Sequence, residues 1–426
     1  MRRIGAVFGV VLLAAGANTA LAQGDGSATL AGATGAKAAV PVVMNVRIGE
    51  HPDSTRFVIE LSDPVKLRVF TLANPNRVVI DMPEMLWRLN GPQKPSGNGA
   101  IKSYRYGLFR PGNSRFVIDL NMAVTAAQPM LLPPSDGFGY RVVLDLYPVS
   151  QQKFDTGAGW PADLQAKETV AEAVATPALP PAPTSRKIVV VDAGHGGIDS
   201  GTVGIDGMQE KDLVLDEAKR LGAALKKRGY SVHLTRDTDI YIPLRERVNI
   251  ARGFGADLFI SLHADSNPDP TVTGASVYTL SEKGSDREAA ALAKKENQSD
   301  IIAGVDLTGQ DDSVSHILVN LEQRDTMNHS SQFAENVLTE MAGATDILPR
   351  TPHRSGALVV LKAPDVPAVL VELGYLSNVG DCSQMHGDAW RNGVAKAIAD
   401  AVDRHFGRTS AAVPGRGPAP VLAGSE

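Results

Sequence analysis

The hydrophobic rhythm of the chain changes once. Over residues 42–148 apolar and polar residues alternate in short runs, the period of two expected of strands with one buried face. Two of these runs occur twice. Arg56-Phe57-Val58-Ile59-Glu60-Leu61 returns as Arg115-Phe116-Val117-Ile118-Asp119-Leu120, and Arg77-Val78-Val79-Ile80-Asp81-Met82 returns as Arg141-Val142-Val143-Leu144-Asp145-Leu146. A strand pair present in two copies predicts a small all-β, sandwich-like domain. Turn residues punctuate it at Asn74-Pro75-Asn76, Pro111-Gly112-Asn113 and Ser135-Asp136-Gly137. Over residues 186–407 strand-like runs alternate with helical periodicity, which predicts an α/β domain with a largely parallel sheet flanked by helices. Its strand candidates are 188–191, 231–234, 257–262, 276–279 and 368–371. A helix over 210–228 puts Val214, Ala218, Leu221 and Leu225 on one stripe and stops at Gly229. A last helix over 389–405 does the same with Val394, Ile398 and Val402.

The remaining segments have no such rhythm. Residues 1–22 read as a signal peptide: Arg2 and Arg3, an apolar run, then Ala20-Leu21-Ala22 as the cleavage site. That run is too short to span a bilayer, so the mature chain is expected to be exported and not transmembrane. Residues 23–41 read as a flexible lead-in and 408–426 as a disordered tail. Residues 149–185, with Pro161, Pro177, Pro180, Pro181 and Pro183, read as a linker unable to build a core. Net charge is −5 with no basic block, which argues against a nucleic-acid partner. The single cysteine, Cys382, excludes an internal disulfide and any multi-cysteine metal cluster. Any metal would have to rely on His, Asp and Glu.

Three such residues follow apolar strands. His195 stands in Asp192-Ala193-Gly194-His195-Gly196-Gly197, His263 follows Leu258-Phe259-Ile260-Ser261-Leu262, and Glu372 follows Val369-Leu370-Val371. Strand ends of a parallel sheet share one edge, where open α/β folds bind ligands. Glu210 stands four residues before Val214, on the inward stripe of its helix. A carboxylate there is costly unless paired, and a cation would stabilise it. Two imidazoles and one carboxylate with an open fourth position suit zinc. Such an ion lowers the pKa of water toward roughly 7 and polarises a carbonyl. Glu372 would then move a proton to the leaving nitrogen, which amounts to amide hydrolysis. Each residue also has a plain structural reading: a turn cap for His195, a satisfied core histidine for His263, a helix N-terminal acid for Glu210, and an arginine-pairing carboxylate for Glu372.

The motifs Asp192–Gly197, Gln209-Glu210-Lys211-Asp212-Leu213, Thr235-Arg236, Ser261-Leu262-His263-Ala264-Asp265 and Val371-Glu372-Leu373-Gly374-Tyr375-Leu376-Ser377-Asn378 resemble the zinc-dependent N-acetylmuramoyl-L-alanine amidases. That family often has Pro where this chain has Ala193 and Ser200. The resemblance implies one zinc ion on His195, Glu210 and His263, with Glu372 as the catalytic carboxylate. It also implies cleavage of the amide between N-acetylmuramic acid and the L-alanine of the peptidoglycan stem peptide. A zinc peptidase acting within the stem peptide is the alternative that the same metal chemistry allows. The β domain looks like the AMIN domain of periplasmic cell-division amidases, which implies peptidoglycan targeting, septal enrichment and a role in daughter-cell separation. A monomer is expected. Residues 280–312 resemble the blocking insert of those enzymes. A helix is predicted over 285–297, with Ser285 as N-cap and Glu288 at the capping-box position. The resemblance implies that a glutamate, with Glu296 as candidate, fills the open zinc position until a LytM-type activator displaces the helix; a solvated helix charge is the alternative. His353 is a further candidate to approach the site, and Arg245 and Arg247 are expected to serve a structural ion pair.

Overall fold

The computed structural model describes residues 40–89, 97–110, 112–135, 137–161, 186–305 and 321–408. The signal peptide, nearly all of the lead-in and tail, and residues 162–185 of the linker lie outside them.

The β domain contains β1 (Val42–His51), β2 (Ser54–Leu61), β3 (Arg68–Leu72), β4 (Arg77–Pro83), β5 (Leu86–Trp87), β6 (Ile101–Arg110), β7 (Asn113–Leu120), β8 (Val124–Ala126), β9 (Met130–Leu132) and β10 (Tyr140–Pro148). One sheet runs β5-β1-β2-β10-β8, with β9 also on β10; the other runs β3-β4-β7-β6. Their inner faces meet in a core that includes Phe57, Ile59, Val78, Ile80, Phe116, Ile118 and Leu144. The period-two pattern is literal in β2, where every second residue is buried. The two sequence copies pair crosswise. β2 of the first copy lies against β10 of the second, and β4 of the first against β7 of the second. This register sets Arg56 opposite Asp145 and Arg115 opposite Asp81, and both make ion pairs, at 2.7 and 2.6 Å.

The start of the expected linker is folded. Helix α1 (Gln151–Gly157) is capped by Ser150 and buries Phe154, and Trp160 is buried beyond it. Two large aromatic side chains supply the apolar area that the Pro/Ala run after them lacks, so the packed domain extends past residue 148.

The α/β domain contains β11 (Ile188–Ala193), α2 (Glu210–Lys227), β12 (Ser231–Leu234), α3 (Leu244–Gly253), β13 (Leu258–Asp265), β14 (Ser276–Leu280), α4 (Arg287–Glu296), α5 (Ser299–Ile302), α6 (Leu321–Met341), β15 (His353–Gly356), β16 (Ala368–Tyr375), α7 (Val379–Met385) and α8 (Asp388–His405). The sheet order is β12-β11-β13-β16-β14-β15, and every neighbouring pair is parallel except β14 with β16. One face packs α2, α6 and α8 through Val214, Leu221, Val337, Ile398 and Val402. The other packs α3 and α4 through Leu244, Ala251, Ala289 and Leu292. Strand β15 was not anticipated, because His353-Arg354-Ser355-Gly356 carries no apolar signal. The insert helix starts one residue late: Asp286 is the N-cap and accepts from Ala289 N, while Ser285 Oγ takes Ser355 N.

The two domains share a buried layer. Phe70, Val79, Phe109, Val117 and Trp160 meet Ile198, Tyr241, Ala303 and Val305. The rings of Phe109 and Tyr241 stack with centroids 6.1 Å apart.

Candidate active site

Strand β11 ends in a loop whose backbone makes room for side chains. His195 itself adopts φ 57°, a conformation a non-glycine residue takes only where its surroundings demand it. A Cβ on Gly194 would fall 2.5 Å from the His263 ring, and one on Gly201 would fall 2.6 Å from Glu210 Oε2. The glycines around His195 thus clear space for its partners. Beneath the loop, Asp192 accepts from Thr235 and Ser261, each at 2.6 Å, and from Arg247 at 2.8 Å. Arg247 also donates to the carbonyls of Ala193 and His195. This is the structural ion pair expected of it; Arg245 is exposed.

Three elements then converge. Glu210 is the first residue of α2, turned inward; His263 lies on β13; and Glu372 sits beside His263 in the parallel register of β16. His195 Nε2 lies 3.0 Å and His263 Nδ1 lies 3.2 Å from Glu210 Oε1. Glu210 is fixed by two backbone amides, accepting from Ala264 N at 2.9 Å and Thr202 N at 2.8 Å. Asp199 Oδ2 faces His195 Nδ1 at 2.9 Å, which orients the ring. Glu296, the last residue of α4, sets its Oε2 3.4 Å from His195 Nε2 and 3.2 Å from His263 Nδ1. His195, His263 and Glu296 offer ligand atoms within 4.8 Å of one another, so this His/Glu cluster can hold a metal ion. All five side chains, with Glu372, are buried.

Burial opposes charge on every one of these groups, and the outcome depends on company. Glu210 overcomes burial because two imidazoles face it, and its carboxyl is held well below the usual range. Burial would lower His195, yet Glu210, Asp199 and Glu296 raise it well above an ordinary imidazole. His263 rises to about 10 against its own burial, through Glu296 and Glu210. Glu372 goes the other way. Burial first, then the neighbouring Asp265, push it well above the usual carboxyl range. Its Oε2 accepts from Asp265 N at 2.9 Å, while Oε1 has no hydrogen-bond partner among the described residues.

The structure brings together all four residues singled out for catalysis and metal binding, and Glu296 with them. His353 does not join them; it bonds Glu335 of α6 at 2.7 Å and faces Thr279 on β14. Sequence reasoning missed Asp199, Asp265, Lys295, Ser299 and Asp300. From the insert, Lys295 reaches Asp265 and Thr202, Ser299 donates to Asp199, and Asp300 accepts from Tyr241 and from Leu244 N. Asp199 stands four residues after His195, the one local signal among them. The other contacts join residues far apart in the chain and leave no local pattern.

An α/β sheet carrying a buried His/Glu cluster able to hold a metal places this protein among candidate metal-site proteins, and comparison with known proteins says which family it belongs to. Residues 189–404 match the family described as N-acetylmuramoyl-L-alanine amidase, and residues 45–131 match the AMIN domain. The chain belongs to the N-acetylmuramoyl-L-alanine amidases, and its substrate is peptidoglycan. It is 35% identical over 415 residues to the N-acetylmuramoyl-L-alanine amidase AmiC of Escherichia coli O6:H1, covering 92% of this chain and 97% of that one. Against AmiC of Neisseria meningitidis serogroup B it is 34% identical, covering 86% and 90%. The solved AmiC2 of Nostoc punctiforme is 27% identical, covering 53% of this chain and all of that one, with a TM-score of 0.40. Membership decides between the two bonds that the chemistry left open, in favour of the amide to the muramic acid. Among the described residues no helix is long and apolar enough to cross a membrane.

Proposed function

We propose that His195, Glu210 and His263 hold one zinc ion, that Glu372 is the catalytic carboxylate, and that residues 280–312 block the site at rest. One observation carries this reading: two imidazole nitrogens and two carboxylate oxygens, from four separate elements, lie 3.0–3.4 Å apart across each imidazole–carboxylate contact. Ligand atoms around a tetrahedral ion with bonds of ~2.0–2.1 Å lie roughly 3.3 Å apart. Imidazole and carboxylate donors suit zinc better than calcium or magnesium. His195 Nε2 faces the Glu210 and Glu296 carboxylates at 3.0 and 3.4 Å without an aligned hydrogen bond to either, as a nitrogen sharing an ion with them would.

Zinc in this position supplies a Lewis acid for the substrate carbonyl and lowers the pKa of water. The chain's own residues do the rest. Asp199 holds the His195 ring so that Nε2 faces the cluster. The amides of Thr202 and Ala264 hold Glu210. Glu372 takes the proton of the attacking water and delivers it to the nitrogen of the departing L-alanine. Its raised pKa, set first by burial and then by Asp265, favours the protonated form that the second step needs.

Glu296 occupies the fourth position, the one substrate would need. Its carboxylate on the inward stripe Ala289, Leu292, Ala293, Glu296 supports a blocking role over a solvated charge. A LytM-type protein is the proposed activator. The signal-like N-terminus supports a periplasmic enzyme, the AMIN domain supports targeting to peptidoglycan at the septum, and a monomer is the proposed working form. Metal analysis of the purified chain should return one zinc per chain. Mass spectrometry of digested peptidoglycan should find free stem peptides beginning with L-alanine; shortened stems still on glycan would overturn the assignment. Deleting residues 283–312 should raise basal hydrolysis, and unchanged basal hydrolysis removes the blocking reading.

A further inference from the structure

Beyond Glu296, the insert runs into α5 and then onto the β domain, where its carbonyls meet arginines. Arg77 donates through Nη1 to Ile301 O at 2.7 Å. Arg105 donates through Nε to Ile302 O and through Nη2 to Ile301 O at 3.4 Å. Arg115 donates through Nη1 to Ala303 O at 3.2 Å and Gly304 O at 3.1 Å. Four consecutive carbonyls, the last two of α5 and the two that follow it, are thus taken by three guanidinium groups in charge-assisted hydrogen bonds. The arginines come from β4, β6 and β7, adjacent strands of one sheet. All three are buried. Each is held from behind: Arg115 by both oxygens of Asp81, Arg105 by Asp119, and Arg77 by Pro75 O. Apolar contact adds to this. Ala303 and Val305 enter the interdomain layer, and a Cβ on Gly304 would fall 2.9 Å from Val117 and 3.3 Å from Val79.

The duplicated strands supply an internal control. Arg56 and Asp145 stand in the β2-β10 sheet as Arg115 and Asp81 stand in the β3-β4-β7-β6 sheet, at matching register. Yet the Arg56 side chain is 40% exposed and the Arg115 side chain 0%. The strand pattern yields the ion pair in both sheets, and only one has been put to use as a grip on carbonyls.

We propose that the β3-β4-β7-β6 sheet is the docking surface for the insert, and that Arg77, Arg105 and Arg115 latch residues 301–304 so that Glu296 stays between His195 and His263. The proposal rests on the blocking reading above and adds the domain that maintains it. Only two residues, Asn297 and Gln298, separate α4 from α5, so freeing the 301–304 end loosens the restraint on the glutamate. The targeting domain thereby controls the catalytic one, and any event that pulls this sheet away favours opening.

The test uses the full chain without activator, on purified peptidoglycan. Arg77→Met with Arg105→Met keeps the side-chain stems and removes the donors. Gly304→Val leaves the β domain untouched and wedges the docked segment apart. Both should raise basal hydrolysis roughly tenfold, the scale of losing one or two charge-assisted hydrogen bonds, and both should speed amide hydrogen exchange over 298–305. Arg56→Met should do neither. In the chain lacking residues 283–312 the arginine pair should add nothing. If the deletion raises hydrolysis while the pair and Gly304→Val do not, the latch is wrong and blocking stands. If the pair raises hydrolysis equally in the deleted chain, the arginines act elsewhere and the latch is wrong. If the deletion itself changes nothing, blocking fails and the latch with it.

Discussion

Two regions of helix α2 each bury a glutamate, seven residues apart on the inward face. At the N-terminus, Glu210 faces two imidazoles, accepts from two backbone amides, and keeps its charge with a carboxyl well below the usual range. In the middle, Glu217 is equally buried, but neither oxygen has a hydrogen-bond partner among the described residues. Burial, with Asp216 adding to it, pushes its carboxyl up to about 8. The same residue type on the same stripe is thus ionised in one place and holds a proton in the other. Burial alone expels charge; only convergence of other elements retains it. A third glutamate, Glu296, repeats the first case from α4, yet among the described residues no backbone amide holds it. Glu210 is anchored by backbone on two sides, whereas Glu296 meets the imidazoles from the last residue of α4.

The contrast can be broken in graded ways. The largest effect is expected from Glu210→Ala: metal affinity should fall by more than about a hundredfold and hydrolysis should vanish, read by metal content and digestion together. A variant that kept its zinc would show that Glu210 is no ligand. Next, Glu372→Gln should cut hydrolysis about 10²–10⁴-fold while metal content stays at wild type. Retained turnover would assign the proton transfer to another group.

Glu217→Gln acts on stability. The folded-state pKa of Glu217 is raised, so between the ordinary 4.5 and about 8 the folded chain keeps a proton that the unfolded chain releases. Glu217 therefore costs nothing below about pH 4.5 and progressively more as pH rises to 8. The glutamine variant should match wild type near pH 4.5 and gain on the order of 4 kcal/mol at pH 8 in denaturant unfolding. A gain independent of pH would mean that Glu217 is not protonated in the fold. The smallest effect carries the opposite sign to the first two: Glu296→Ala should raise activator-free hydrolysis about tenfold, since the rest of the insert stays docked. A fall in hydrolysis and in zinc content would make Glu296 a permanent ligand like Glu210.

Much of this site was legible before folding. Histidines just after apolar strands, and a glutamate ahead of Val214 on an apolar stripe, carry their own geometric argument, because strand ends and helix faces are local consequences of period. Glu296 was a candidate only through the family resemblance; the structure puts it seven residues after Ala289 on the buried stripe of α4. The stripe of α2 would also have offered Glu217, which faces inward and binds nothing described. The stripe shows that a carboxylate points in, and says nothing of what it will meet. Arg354 illustrates the same limit. It sits on a strand with no apolar signal and pairs with Glu288 of the insert at 3.0 Å, a contact across 66 residues that leaves no trace in either segment.

By itself, the amino-acid sequence determined the two-domain order, the repeated strands, the helix stripes and the residue types able to bind a metal, because each follows from local periodicity and side-chain chemistry. The tertiary structure alone decided that the repeats pair crosswise, that Arg115 grips residues 303–304 while Arg56 faces solvent, and that Glu296 rather than Glu217 reaches the imidazoles. Those outcomes depend on which distant segments come to lie against one another. Charge, hydrogen bonding and burial take their values from that neighbourhood, and no local pattern in the chain encodes it.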